Sequence, residues 1–149
     1  MRARRWMMGI ATLAVMSCGQ GSTAPTVDYQ ALLAAQQVKW TAARPLNYAY
    51  DFTLSGFFIS YAERKIHVQV RGDTVVAVAT TDAGPAIPLQ PAWFSSIDKL
   101  FADLADDARN GTLFAVEFDA TLGYPKVYAL SGPADASGSG FVSGVVSIP

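Results

Sequence analysis

The chain has 149 residues, with 11 Lys and Arg against 12 Asp and Glu, a formal net charge of −1 and 51% hydrophobic residues. A balance this near neutral, without clustered Lys and Arg, argues against a nucleic-acid partner, and the apolar content is too high for wholesale disorder. With one cysteine and one histidine, zinc sites and Cys-His or Ser-His-Asp machinery have no means of assembly.

Residues 1–17 read as a secretion leader. Arg2, Arg4 and Arg5 form a basic start, and Met7 to Met16 supplies an apolar stretch of the roughly 7–15 residues such signals use. That stretch is short of the about 20 residues needed to span a bilayer. Val15-Met16-Ser17-Cys18 resembles the bacterial lipobox, with Met16 larger than usual, so Cys18 is the expected lipid-attachment point. Acylation removes the liability of a lone thiol in an oxidising compartment, and acyl chains at about 0.8 kcal/mol per buried CH₂ anchor the protein to a membrane. The alternative is a conventional signal peptide cut near Ala24, which discards Cys18. Under lipoprotein sorting rules, Gly19 after the cysteine directs the protein to the outer membrane, facing the periplasm, in a Gram-negative host. Removing the leader moves the net charge from −1 to −4, because it takes away three arginines and no acid.

Residues 18–27 hold the lipidated cysteine and a flexible tether, Gly19 to Pro25, and residues 28–149 read as one globular domain. Asp28 caps a predicted helix to about Thr41, with Tyr29, Leu32, Leu33, Gln36 and Trp40 on one side. Beyond Pro45 the period becomes two. Tyr48, Tyr50, Phe52 and Leu54 face the core, alternating with Asn47, Ala49, Asp51 and Thr53. Ile66, Val68 and Val70 alternate with Lys65, His67, Gln69 and Arg71, and Gly72-Asp73 turns the chain into a β-branched run from Thr74 to Thr80. Asp82 to Pro91 is a proline-rich loop. Ser95 or Ser96 then caps a helix with Ile97, Leu100, Phe101, Leu104 and Ala108 on one face and Asp98, Lys99, Asp103, Asp106 and Asp107 on the others, ended by Asn110-Gly111. Strands follow at Leu113 to Asp119, Lys126 to Leu130 and Phe141 to Ile148. The expected class is α+β: an antiparallel sheet of about six strands with two helices on one face, in the order α-βββ-α-βββ.

Several residues together resemble a family of small bacterial lipoproteins known as domain of unknown function 6174. They are Trp40; Tyr48-x-Tyr50; the hairpin around Val68, Val70, Gly72 and Val75; Ile97-x-x-Leu100-Phe101; and Asp119-x-x-x-Gly123-Tyr124-Pro125. The resemblance runs from Trp40 to Ile148, and its Gly-Tyr-Pro element is the most specific part. Members often carry Cys-x-Cys near the end of the first strand. Here that stretch is Gly56-Phe57-Phe58-Ile59, so any thiol or metal role of that pair does not operate in this chain. The resemblance implies a fold and an address, and it implies no activity.

Single motifs yield little chemistry. His67 falls on the expected solvent face of a strand. Asp103 and Asp107 are like charges at i and i+4 on an expected solvated helix, without the Asp-x-Asp-x-Asp-Gly loop of a calcium site. Arg71-Gly72-Asp73 occupies a hairpin turn, where Gly and Asp are expected on backbone grounds. No catalytic residue, metal or cofactor is expected. The candidate binding residues are Phe57 and Phe58, in an aromatic patch with Ile59 and Tyr61, and Tyr124 on its turn. The expected function is a non-enzymatic, membrane-anchored domain that binds a protein, peptide or other envelope component through the uncovered sheet face or an edge strand. The alternatives are a hydrolase of low residue demand using carboxylate and Tyr groups, and a passive structural lipoprotein.

Overall fold

A computed structural model of the chain describes residues 27–56, 59–132 and 137–149. The leader with Cys18, and Phe57 and Phe58, therefore lie outside the described residues. Helix α1, Tyr29–Ala43, starts where the Asp28 carboxylate accepts the Ala31 backbone N–H at 3.0 Å. It runs past the expected Thr41, because the Arg44 N–H still donates to the Trp40 carbonyl at 2.7 Å and only Pro45 lacks a donor.

Strands β1 (Asn47–Ser55), β2 (Ile66–Arg71) and β3 (Thr74–Thr80) form one antiparallel meander. Gly72, with φ of +58°, takes the first turn position between β2 and β3. After the loop and one 3₁₀ turn, Pro91–Trp93, helix α2 spans Ile97–Asn110. Its cap is Ser96, whose Oγ accepts the Lys99 N–H at 3.2 Å, and Gly111 ends it in a left-handed conformation at φ of +73°. Strands β4 (Leu113–Phe118), β5 (Pro125–Leu130) and β6 (Gly138–Ser147) make a second meander. Pairing of β1 with β6 joins the two into one antiparallel sheet of order β3-β2-β1-β6-β5-β4. The expected α-βββ-α-βββ order and fold class hold.

Both helices contact each other, and the core lies between them and one sheet face. Tyr48, Tyr50, Ile66, Val68, Val70 and Val142 rise from the strands to meet Leu33 and Trp40 of α1 and Ile97, Phe101 and Leu104 of α2. One alternation differs from expectation. Ala49, expected to face solvent, is 2% exposed. It sits on a central strand, flanked by its register partners Gln69 on one side and Val146 on the other, and its side chain is a single methyl group.

Trp40 gathers these parts. It is fully buried, and its ring meets Tyr48 edge-on at 5.4 Å and Tyr124 at 6.2 Å. Its indole N–H donates to Asp98 Oδ2 at 3.3 Å, and the same oxygen accepts Arg44 Nη1 at 2.9 Å. Arg44 also reaches Asp73 at 3.0 Å, so the aspartate of Arg71-Gly72-Asp73 pins the hairpin turn to α1. No helix among the described residues is long and apolar enough to cross a membrane. Replacing Trp40 by alanine removes a packed indole and orphans the Asp98 contact, and we expect a loss of about 3–5 kcal/mol. Urea unfolding checks this, and a loss below about 1 kcal/mol contradicts the role given to Trp40.

Candidate functional site

The strand period places Tyr50, Phe52 and Leu54 of β1, and Tyr128 and Leu130 of β5, on the helix-covered face. Above them, α2 presents Leu100, Asp103, Leu104 and Asp107, spaced i, i+3, i+4 and i+7. Trp93, Phe94 and Ser95, together with Tyr61, close the third side. The walls enclose a cleft of about 210 Å³.

Its frame is rigid for identifiable reasons. The Tyr50 hydroxyl donates to the Ser95 carbonyl at 2.5 Å, and the Tyr48 hydroxyl accepts the Ile97 N–H at 2.9 Å. The second bond satisfies a donor that the first turn of α2 leaves without a helical partner. Burial pushes the Tyr48 phenol up to about 12 and the Tyr50 phenol higher still, so both stay protonated at neutral pH. Trp93 stacks on Tyr61 with ring centroids 6.2 Å apart and planes 14° apart, and Tyr61 leans on Phe94 at 5.3 Å.

Tyr128 is 6% exposed and lines the cleft. Its hydroxyl has no hydrogen-bond partner among the described residues. Burial raises its phenol pKa, with the charges of Asp103 and Asp107 adding to the effect, so it offers a donor rather than a base. The ring lies over Gly140 of β6, where a Cβ would come within 2.1 Å of Tyr128 Cζ. Asp103 Oδ2 accepts the Ser95 hydroxyl at 3.2 Å and Oδ1 meets Lys99 Nζ at 2.7 Å. Asp107 Oδ1 accepts the Thr112 hydroxyl at 2.9 Å.

The loop leading to Trp93 is held from below. Arg64 grips Asp82 with Nε 2.9 and 2.7 Å from the two carboxylate oxygens, adds an Nη2 contact, and reaches the Pro85 carbonyl at 3.1 Å. The guanidinium also fills the space beside Gly84, where a Cβ would sit 2.6 Å from Nη2.

Of the residues singled out from sequence, Cys18, Phe57 and Phe58 fall outside the described residues. Tyr61, from the same aromatic patch, joins the cleft wall. Tyr124 does not present itself to a partner. It is 6% exposed, its ring spent on Trp40 while Gly123 turns the chain at φ of +80°. His67 lies half-exposed on the open sheet face as expected, with Nδ1 3.0 Å from Asp51 Oδ1, and Lys65 Nζ is 2.8 Å from Asp51 Oδ2. Partial burial raises the Asp51 pKa, and the Lys65 and His67 hydrogen bonds more than reverse it.

Asp103 keeps the solvation expected of it, its side chain 45% exposed, and it and Asp107 also border the cleft, because they share one side of α2 with Leu100 and Leu104. The heptad-like spacing of Leu100, Asp103, Leu104 and Asp107 was the available signal. Trp93 and Tyr128 carried none, since their meeting depends on sheet order. No group of three or more His, Cys, Asp and Glu that could hold a metal ion occurs among the described residues.

The Arg64 hydrogen bonds hold the Asp82 carboxyl at about 2, below its ordinary 3.8. A depressed carboxylate stabilises the fold above its unfolded value and stops doing so as pH falls through the folded one. The clamp is therefore complete above about pH 5 and lost toward pH 2. We expect the protection factor of the Lys65 amide, whose N–H donates to Asp82 Oδ2 at 3.1 Å, to fall over that window once the intrinsic pH dependence of exchange is divided out. Asp82→Asn should show the faster exchange already at pH 7, and equal protection in both proteins contradicts the clamp.

No curated protein and no solved structure matches the chain. A family model described as "Family of unknown function (DUF6174)" matches residues 32–142, which takes in Trp40, both tyrosines of Tyr48-x-Tyr50, α2 and the Gly123-Tyr124-Pro125 turn. The match spans well over half of the sequence, and the chain belongs to that family of unknown function.

Proposed function

We propose that this protein is a membrane-anchored bacterial lipoprotein whose domain binds, in the cleft between α2 and the sheet, a small molecule or one side chain of an envelope partner. The observation that carries the binding reading is Tyr128: a hydroxyl on a buried ring, without a partner among the described residues, bordering a preformed aromatic cleft. Among the described residues no sealed side-chain oxygen or nitrogen is left without a partner, so this hydroxyl opens onto the cleft, where it can donate to or accept from a ligand or a bridging water. At about 210 Å³ the cleft is smaller than the ~300–1,000 Å³ usual for drug-sized ligands, which favours an occupant of side-chain size. The cleft is a better candidate than the open sheet face, whose Asp51, Lys65 and His67 already satisfy one another.

A hydrolase is the second reading. In its favour, Asp103 and Asp107 border the same cleft as Tyr50 and Tyr128. Against it, burial raises both phenols, which leaves no tyrosine base at neutral pH. The anchor rests on the lipobox-like run ending at Cys18.

Chemical-shift mapping with small aromatic and aliphatic fragments tests the binding reading. Perturbations should gather at Tyr61, Trp93 and Tyr128, and fragments that move only other residues, or none, would refute it. Turnover of a fragment ester that is lost in Asp107→Asn would instead favour the hydrolase. Replacing Cys18 by serine should shift the protein from the membrane to the soluble fraction. Retention on the membrane would remove the anchor.

A further inference from the structure

The chemistry of the cleft is one-sided. Two carboxylates border it, and no Lys, Arg or His is among its described lining residues. Asp103 is partly compensated by Lys99, whose side chain is 63% exposed and stands outside the cleft. Asp107 has no salt-bridge partner among the described residues, and only its Oδ1 is engaged, by Thr112. Its neighbour Asp106 is paired with Arg109 on the outer side of α2. The opposite walls are aromatic: Tyr61 with Trp93 stacked on it, and Phe94 against Tyr61. Ring faces carry negative quadrupole density and attract a cation within about 6 Å of the centroid.

These features select among ligands. An anion meets two like charges, and only neutral donors, the phenols and the Trp93 indole N–H, to compensate them. A neutral apolar group satisfies the aromatic walls but screens the carboxylates from water without replacing that solvation. A cation on a short apolar stem meets both needs, its charge facing Asp103 and Asp107 and its carbons against the rings. The carboxylate pair alone would not point to a ligand. The Tyr128 hydroxyl, on a residue 6% exposed and bordering the same space, is an independent mark of one, and its oxygen can accept an ammonium N–H.

We infer that the occupant of this cleft is an alkylammonium group, held between the aromatic walls of Tyr61, Trp93 and Phe94 and the carboxylates of Asp103 and Asp107. This rests on the cleft being a binding site. The same chemistry comes from two sources, a free small amine or a lysine side chain of an envelope protein, and 210 Å³ admits either.

The test compares isosteres on the full-length chain in detergent micelles, read by chemical shifts of the Trp93 indole. Choline is set against 3,3-dimethyl-1-butanol, which has the same shape without charge, and a lysine-containing tripeptide against its norleucine counterpart. The cation should bind about tenfold or more tightly than its neutral partner in at least one pair, and added salt should narrow the gap. Preference within the choline pair alone assigns a free amine, and preference within the peptide pair alone assigns a lysine side chain. In Asp107→Asn the preference should shrink while binding of the neutral compound persists. Thr112 retains its bond to the Asp107 carbonyl at 3.1 Å, so the end of α2 stays closed. The wild-type comparison needs no variant and decides the matter if that protein fails to fold. Equal affinity for charged and neutral partners overturns the charge assignment and leaves the cleft a binding site. Absence of binding by all four compounds overturns both.

Discussion

The structure depends on where the Trp40 indole N–H goes. A fully buried indole needs an acceptor, and the one it finds is Asp98, in the first turn of α2. A carboxylate is favoured there by the helix dipole, and Arg44 neutralises it from the end of α1. One oxygen thus joins the C-terminal end of the first helix to the N-terminal end of the second. The relative position of two helices on a twisted sheet is otherwise set only by non-directional apolar contact. Here a directional bond chooses among the possible packings, and Tyr48 reinforces it by accepting the Ile97 N–H one residue away. The start of α2 is held from below by the sheet and from the side by α1.

Fixing that end of α2 has a consequence further along the helix. Ile97, Phe101 and Leu104 pack down onto the sheet and Ala105 and Ala108 against the same core, while Leu100, Asp103 and Asp107 face the neighbouring space. Asp103 remains 45% exposed and tied to Lys99, so it resists deeper burial. The gap beneath is the cleft. Closing it would bring the Asp103 and Asp107 carboxylates against aromatic rings and strip their solvation. Its other walls are fixed independently, by Tyr50 bonded to the Ser95 carbonyl and by the Arg64 grip on the loop that delivers Trp93.

Much of this was legible in the amino-acid order. Alternation in β1 and β2, the Gly72 turn, and the Ser96 and Gly111 caps are local signals, written within a few residues of where they act. The Asp119 to Pro125 element is local too. Asp119 Oδ1 accepts the Thr121 and Leu122 N–H groups, and Gly123 takes a positive φ where a Cβ would press on Gln36 and Lys39 of α1 at 3.1 Å. Sequence reading placed Tyr124 beside a turn and could not name what its ring packs on, because the receiving surface, Trp40, lies on another element. The cleft was hidden for the same reason. Tyr61, Trp93, Asp107 and Tyr128 come from four separate segments, and only the insertion of β6 between β1 and β5 sets Tyr50 and Tyr128 at the distance that leaves room between them.

Gly140 shows how the sheet and the cleft are one problem. A glycine inside a strand weakens it and is commonly a sign of close approach by another group. In β6 the approaching group is the Tyr128 ring, which occupies the volume that any side chain at 140 would need. With the ring lying over the strand, the phenol stands at the edge of the space under α2 instead of filling it. A larger residue at 140 would displace the Tyr128 ring from its place over the strand and so alter this wall of the cleft. The local cost of glycine in a central strand is thus linked to the shape of the cleft: the same missing methyl group that lowers strand propensity leaves the space that the Tyr128 ring occupies.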